Sequence, residues 1–164
     1  MTESAQTRIV RLMEETVTHS THHVKTGGIP FTALVVDQEG TVLGRGTNTV
    51  RETNDPTAHA EVEAIRDACR AGQTPYLPGA ILLASGEPCA MCYMNALHAG
   101  IAEIHYAVDR EAAAELGFDY RGTYALFAQD PRTWHRPLVG QLMVSGADAP
   151  FEIFHAQRTP RGST

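Results

Sequence analysis

Two cysteines stand three residues apart in SGEPCAMC, residues 85–92, directly behind a proline. No other feature restricts local folding as much. Residues i and i+3 share one face of a helix, so a helix opened by Glu87-Pro88 and running from Cys89 to about Ala99 aims both sulfurs at one point. Gly100 suits its C-terminal cap, and Ala80 to Ala84 reads as a short buried strand leading into it. The free amides of the first turn and the positive end of the helix dipole stabilise anions, which favours the thiolates a metal requires.

A second stretch, PTAHAEVEAI at 56–65, has the same placement. Asp55-Pro56-Thr57 predicts a helix start, and Val62, Ile65 and Cys69 form an inward stripe as far as Gly72. His59 and Glu61 fall at its beginning. The chain has three cysteines, too few and too odd in number for a disulfide framework, so Cys89 and Cys92 read as metal or redox chemistry. Cys69 lies on the apolar stripe and reads as core. Taken with His59, the pair makes a Cys₂His set, one ligand short of a closed structural zinc and therefore open to a catalytic water. Two thiolates cancel the formal charge of the metal, which makes a nearby base valuable, and Glu61 is the obvious one. Helical spacing alone does not bring it there, because i and i+2 point to nearly opposite sides. C-x-x-C by itself also fits a redox pair or a structural zinc; its joint occurrence with H-x-E in this order favours catalysis.

The remaining elements alternate between helix and strand. A helix is predicted from about Gln6 toward His22, a hairpin from Ala33–Val36 and Thr41–Gly44, and a strand over Ile101–Val108. A short helix at REAAAEL, a strand over Leu138–Val144 and a last helix over Pro150–Gln157 complete the order. Such a succession favours a mixed sheet with helices on both faces. At 164 residues, with 43% hydrophobic and 20% charged, residues 1–164 are expected to form one domain. MTESAQTR lacks the apolar core of a signal peptide and no run is long enough to span a membrane, so cytoplasmic residence is expected. A net charge of −6 gives no overall attraction to a polyanion, so a small ligand is the more natural substrate.

HAEVEAI and EPCAMC together resemble the cytidine deaminase-like superfamily, whose signature is H-x-E and P-C-x-x-C. The resemblance covers about Gly28 to Tyr124. It implies a three-layer α/β/α fold around a mixed five-stranded sheet, with Zn²⁺ held by His59, Cys89 and Cys92. It also implies that Glu61 takes a proton from the attacking water and delivers it to the ring nitrogen and the leaving amine. GIPFTALVV, NTVRETNDPTAHAEVEAIR and AAAELGFDYRGTY are similar to the corresponding stretches of bacterial guanine deaminases. Carried over, Asn48 would hydrogen-bond the base edge, Phe31 and His59 would pack on its faces, and Ala60 and Asp119 would join the substrate contacts. Without the resemblance, Asn48 reads as a turn residue, Phe31 as core and Asp119 as a solvated turn residue.

The implied activity is hydrolytic deamination of a free nucleobase in purine metabolism, with guanine ahead of cytosine, isoguanine, azacytosine or triazine-type bases. A tRNA adenosine deaminase and a non-catalytic zinc-stabilised interaction module are the rivals. A homodimer is expected, with the tail from about residue 146 packing on or exchanged with a partner. Several positions depart from the family pattern. Tyr120 follows Asp119 where a second acidic residue is usual, Ala90 replaces a common proline, and SG precedes Glu87. No acidic or thiol residue is spaced for a metal with His19, His22 and His23, which read as solvated or capping residues, as do His98, His105, His135 and His155, and Trp134 reads as a core or interface anchor.

Overall fold

The structure, a computed structural model, describes residues 3–134, 137, 139–145 and 147–158. Helix α1 (Ala5–Lys25) begins at Ser4, whose side chain accepts the Thr7 amide, and carries His22, His23 and Lys25 in its last turn, where cations suit the dipole. Strands β1 (Thr32–Val36) and β2 (Val42–Thr47) follow, then the one-turn helix α2 (Val50–Thr53), helix α3 (Ala60–Gly72) and strand β3 (Ile81–Gly86). Helix α4 (Ala90–Ala99), strand β4 (Glu103–Val108), helix α5 (Arg110–Glu115) and a 3₁₀ segment over Arg121–Ala128 complete the first of two compact units, which ends at Ala128. The second unit, from Gln129, contains a 3₁₀ turn at Pro131–Thr133 and helix α6 (Ala149–Arg158).

The sheet order is β2-β1-β3-β4; β1 pairs antiparallel with both β2 and β3, and β3 pairs parallel with β4. The sheet is mixed, but it has four strands among the described residues where five were expected. The fifth is the strand expected over Leu138–Val144; Leu138 lies outside the described residues, and Val139 to Val144 form no strand with any described residue. Two cores flank the sheet. Leu12 of α1 packs with Leu34, Val36, Ile81 and Leu83 on one face, and Ala60, Ala64, Ile65 and Ala68 of α3 pack with Ala33, Val35, Leu82 and Ala96 on the other. Alternate residues of β1 and β3 thus serve opposite layers, which is why both strands are apolar without interruption.

Helix α3 lies directly on β2. A methyl group on Gly46 would sit 2.0 Å from the Ala60 carbonyl oxygen, and one on Gly44 would sit 2.3 Å from that of Ala64. These two glycines, on one face of the strand, let a helix backbone approach where a side chain would hold it off. On the other side, buried threonines tie α1 to the sheet: Thr32 Oγ1 donates to the Thr16 carbonyl at 2.8 Å, and Thr16 Oγ1 to Leu12 at 2.8 Å.

Two predicted boundaries shift. Asp55-Pro56-Thr57 does not open α3; Asp55 Oδ1 instead accepts the Thr57 amide at 2.8 Å and its hydroxyl at 2.6 Å, closing a separate turn. The helix starts at Ala60, with His59 as its cap, and α4 likewise starts at Ala90, with Cys89 as its cap. His135 lies outside the described residues.

Candidate active site

The shifted boundaries build the site. His59 (φ −73°, ψ 154°) and Cys89 (φ −70°, ψ 172°) are both extended cap residues, so their side chains leave the helix ends along the direction of the free amides. Cys92 is one turn into α4 and fully buried. His59 Nδ1 lies 3.6 Å from Cys89 Sγ and 3.5 Å from Cys92 Sγ, and the sulfurs are 3.6 Å apart. A tetrahedral ion with metal–sulfur bonds of about 2.3 Å and a metal–nitrogen bond of about 2.0 Å has ligand edges of roughly 3.5–3.8 Å. The three atoms therefore have the spacing and donor chemistry of one tetrahedral face and are positioned to bind a metal ion. Cys92 donates to Cys89, which brings the Cys89 thiol down to about 4, helped by His59, and raises that of Cys92.

Glu61 stands against this face. Its Oε2 is 3.5 Å from Cys92 Sγ, and the residue is only 5% exposed. The i to i+2 objection fails because His59 is not helical: the cap residue points forward out of the helix, while Glu61 projects from the first turn. Burial pushes the Glu61 carboxyl above its ordinary range. Among the described residues, the metal-binding group consists of His59, Cys89 and Cys92, and Glu61 is not a fourth member.

His59, Glu61 and Cys89 line a cleft of about 350 Å³ together with Ile29, Phe31, Asn48, Phe118, Asp119 and Tyr120, while Cys92 lies buried behind them. Asn48, 8% exposed, accepts the Val50 amide at 3.3 Å through Oδ1, and its own amide donates to the Phe31 carbonyl at 3.0 Å. The turn role and the cleft position thus coexist. Phe31 meets Phe118 edge-on at 5.1 Å between centroids. SG has a clear purpose here. Ser85 Oγ donates to the Pro30 carbonyl and accepts the Thr32 amide, both at 3.0 Å, which clamps the backbone on either side of Phe31. A methyl on Gly86 would meet the Phe31 ring at 2.8 Å. Asp119 lines the cleft, but its carboxylate is engaged by Arg121, at 2.9 Å to Nε and 2.8 Å to Nη2, which takes it down to about 2. Ala60 is buried beneath β2 and does not line the cleft.

One group of residues escaped the sequence reading. Glu87, 4% exposed, accepts the Arg110 amide at 2.7 Å through Oε2 and the Arg110 guanidinium through Oε1. That guanidinium lies 3.6 Å above the Tyr124 ring, and the Tyr124 hydroxyl donates to the Pro88 carbonyl at 2.5 Å. Arg110 holds the Glu87 carboxyl below its ordinary range. The loop bearing Cys89 is therefore braced from α5 and the 3₁₀ segment. Only the acidic residue before Pro88 hinted at it, and its partner lies 23 residues on.

A family model of the cytidine and deoxycytidylate deaminase zinc-binding region matches residues 6–108, more than half of the chain. The chain is 42% identical over 108 residues to a guanine deaminase of Bacillus subtilis, covering 65% of this chain and 69% of that one. It is 47% identical over 66 residues to a tRNA-specific adenosine deaminase of Aquifex aeolicus, covering 40% of this chain and 43% of that one, so it spans less than half of that relative. The crystal structure of guanine deaminase from Bacillus subtilis superposes with a TM-score of 0.80 at 34% identity, covering 88% of this chain and 91% of that one.

Proposed function

The chain belongs to the cytidine and deoxycytidylate deaminase zinc-binding family, and we propose that it deaminates a free nucleobase hydrolytically, with guanine first. It is a zinc-dependent hydrolase of C–N bonds. The observation that carries the assignment is the Glu61 carboxylate 3.5 Å from Cys92 Sγ, beside a three-atom metal face of which His59 and Cys89 line a cleft of about 350 Å³.

His59, Cys89 and Cys92 would hold the zinc ion, which when bound would supply a Lewis acid able to make water nucleophilic at neutral pH. Glu61 accepts one proton from the water as its oxygen bonds to the ring carbon and passes it to the ring nitrogen; it then carries the remaining proton of that added hydroxyl to the amine, so that the C–N bond breaks, the carbonyl forms and ammonia leaves. Phe31 packs on the base, and Asn48 reads its edge. Asp119, which lines the cleft, contacts the substrate, whereas Ala60, buried outside the cleft, takes no part.

A small base is favoured over RNA by the net charge of −6. The likeness to a tRNA-specific adenosine deaminase keeps RNA as the second reading. An interaction module that has only kept the metal shell would need a closing fourth ligand, and none joins the cluster among the described residues. The proposal includes a cytoplasmic homodimer formed by one domain per chain, with the tail from about 146 packed on or exchanged with the partner. Phe151 and Ile153 in that tail are at least 58% exposed, which supports a covered state.

The test is ammonia release by zinc-loaded protein from guanine, isoguanine, cytosine, 5-azacytosine, aminated triazines, the matching nucleosides and an anticodon stem-loop RNA. Turnover of a free base is expected. Activity on the RNA alone would replace the reading with the second one, and silence on all would remove it.

A further inference from the structure

Tyr120 stands where the cleft wall meets the loop that carries Cys89. Its hydroxyl donates to the Glu87 carbonyl at 2.7 Å, two residues before the cysteine. Its ring lies edge-on to Phe31 at 6.4 Å between centroids and to Tyr124 at 6.3 Å. Phe31 is itself seated against Gly86, and Tyr124 is held on Pro88. The phenol is thus fixed on both sides of the ring and at its tip.

A phenol has one proton, and here that proton is committed to a backbone carbonyl. Tyr120 lines the cleft, and with its proton so committed its oxygen can only accept from a group bound there. It remains neutral as well, because burial and the negative groups Glu87, Glu61 and Cys89 oppose its ionisation. A carboxylate at this place would accept from two donors and bring charge.

We propose that Tyr120 is a specificity-determining residue, which offers the base one neutral, immobile acceptor. The substrate class that follows is an aminated heterocycle whose edge toward Tyr120 carries a single N–H donor. An edge bearing a bare ring nitrogen or a carbonyl oxygen there would lose its water without gaining a partner. The inference rests on the nucleobase deaminase reading above.

The test compares zinc-loaded wild type with Tyr120→Phe, which keeps the ring and removes the acceptor. We would measure kcat/KM for ammonia release from guanine, from 2-aminopurine, which lacks the N1–H donor, and from 9-methylguanine, which lacks N9–H. Tyr120→Phe is expected to lower the preference for guanine over one of the two analogues by on the order of tenfold. Equal losses on all three bases, or none, would overturn the inference, since a purely structural tie weakens every substrate alike. Zinc content and the unfolding midpoint are recorded for each protein. Should Tyr120→Phe lose zinc, Tyr120→Gln, which retains an acceptor, is expected to keep the preference for the donor-bearing base; a reversal overturns the inference. If wild type releases ammonia from no base, the deaminase reading fails. The same ratios are then taken from calorimetric Kd values, and unmoved ratios or absent binding overturn the Tyr120 assignment separately.

Discussion

Glu61 and Cys92 meet at 3.5 Å, carboxylate oxygen to sulfur, although they lie on different helices 31 residues apart. The contact places a proton-accepting group against the metal face without making it a ligand, so the two roles can be separated by mutation. It exists because α3 and α4 both direct their N-terminal ends at the same point.

Glu61→Gln is expected to retain zinc and the unfolding midpoint while lowering ammonia release by about 10²–10⁴-fold, the usual contribution of a positioned acid–base group. Removing a buried carboxylate held above its ordinary pKa should not weaken the fold. Metal analysis beside steady-state rates checks both halves. Rates within a few-fold of wild type at equal zinc content would remove Glu61 from the mechanism.

Cys92→Ala is expected to lose metal and stability together. The sulfur is fully buried and completes the three-atom face, and metal binding is coupled to folding where the ligands come from separate elements. A chelator added to wild type should lower its midpoint toward that of the variant. A variant with full zinc occupancy would show that Cys92 is not a ligand.

Gly46→Ala tests how α3 is seated. The added methyl would lie 2.0 Å from the Ala60 carbonyl, and a backbone atom cannot swing aside as a side chain does. A destabilisation of about 1–3 kcal/mol or more is expected, read by urea unfolding. Zinc affinity should fall with it, because the displaced helix end carries His59 and Glu61. A variant as stable as wild type would show that the helix does not depend on this approach.

The Glu87 and Arg110 pair predicts an acid limb of stability. Arg110 holds the Glu87 carboxyl below its ordinary value of 4.5, so the unfolded state binds the proton more readily than the folded state. The contribution is therefore complete above about pH 4.5 and is lost as the pH falls through the lowered folded value. Glu87→Gln should be less stable than wild type at pH 7, and the difference should shrink toward pH 3. Urea midpoints at several pH values test this; a difference independent of pH would leave the charge without a role.

Much of this arrangement was written locally. Cys89 and Cys92 share a face because three residues separate them, and both metal-bearing segments fall at helix starts because Pro88 and Gly100, and Gly72 further back, punctuate the chain. The alternation of helix and strand and the mixed sheet were legible in the same way. The four strands differ from the expected five because apolar residues at Val139, Leu142, Met143 and Val144 suggest a strand, yet a strand needs a ladder partner, which composition does not supply.

What the sequence by itself determined is the chemistry available, namely two thiolates, an imidazole and a carboxylate in zinc-site order, together with the elements that carry them. The tertiary structure alone decided how they converge. His59 is a cap and not a helical residue, which brings it and Glu61 to one side. Gly44 and Gly46 admit α3 onto β2, and Arg110 reaches back to Glu87. The physical reason is range: periodicity constrains neighbours within a turn or two, whereas the site depends on backbone approach and on hydrogen bonds between segments distant in the chain.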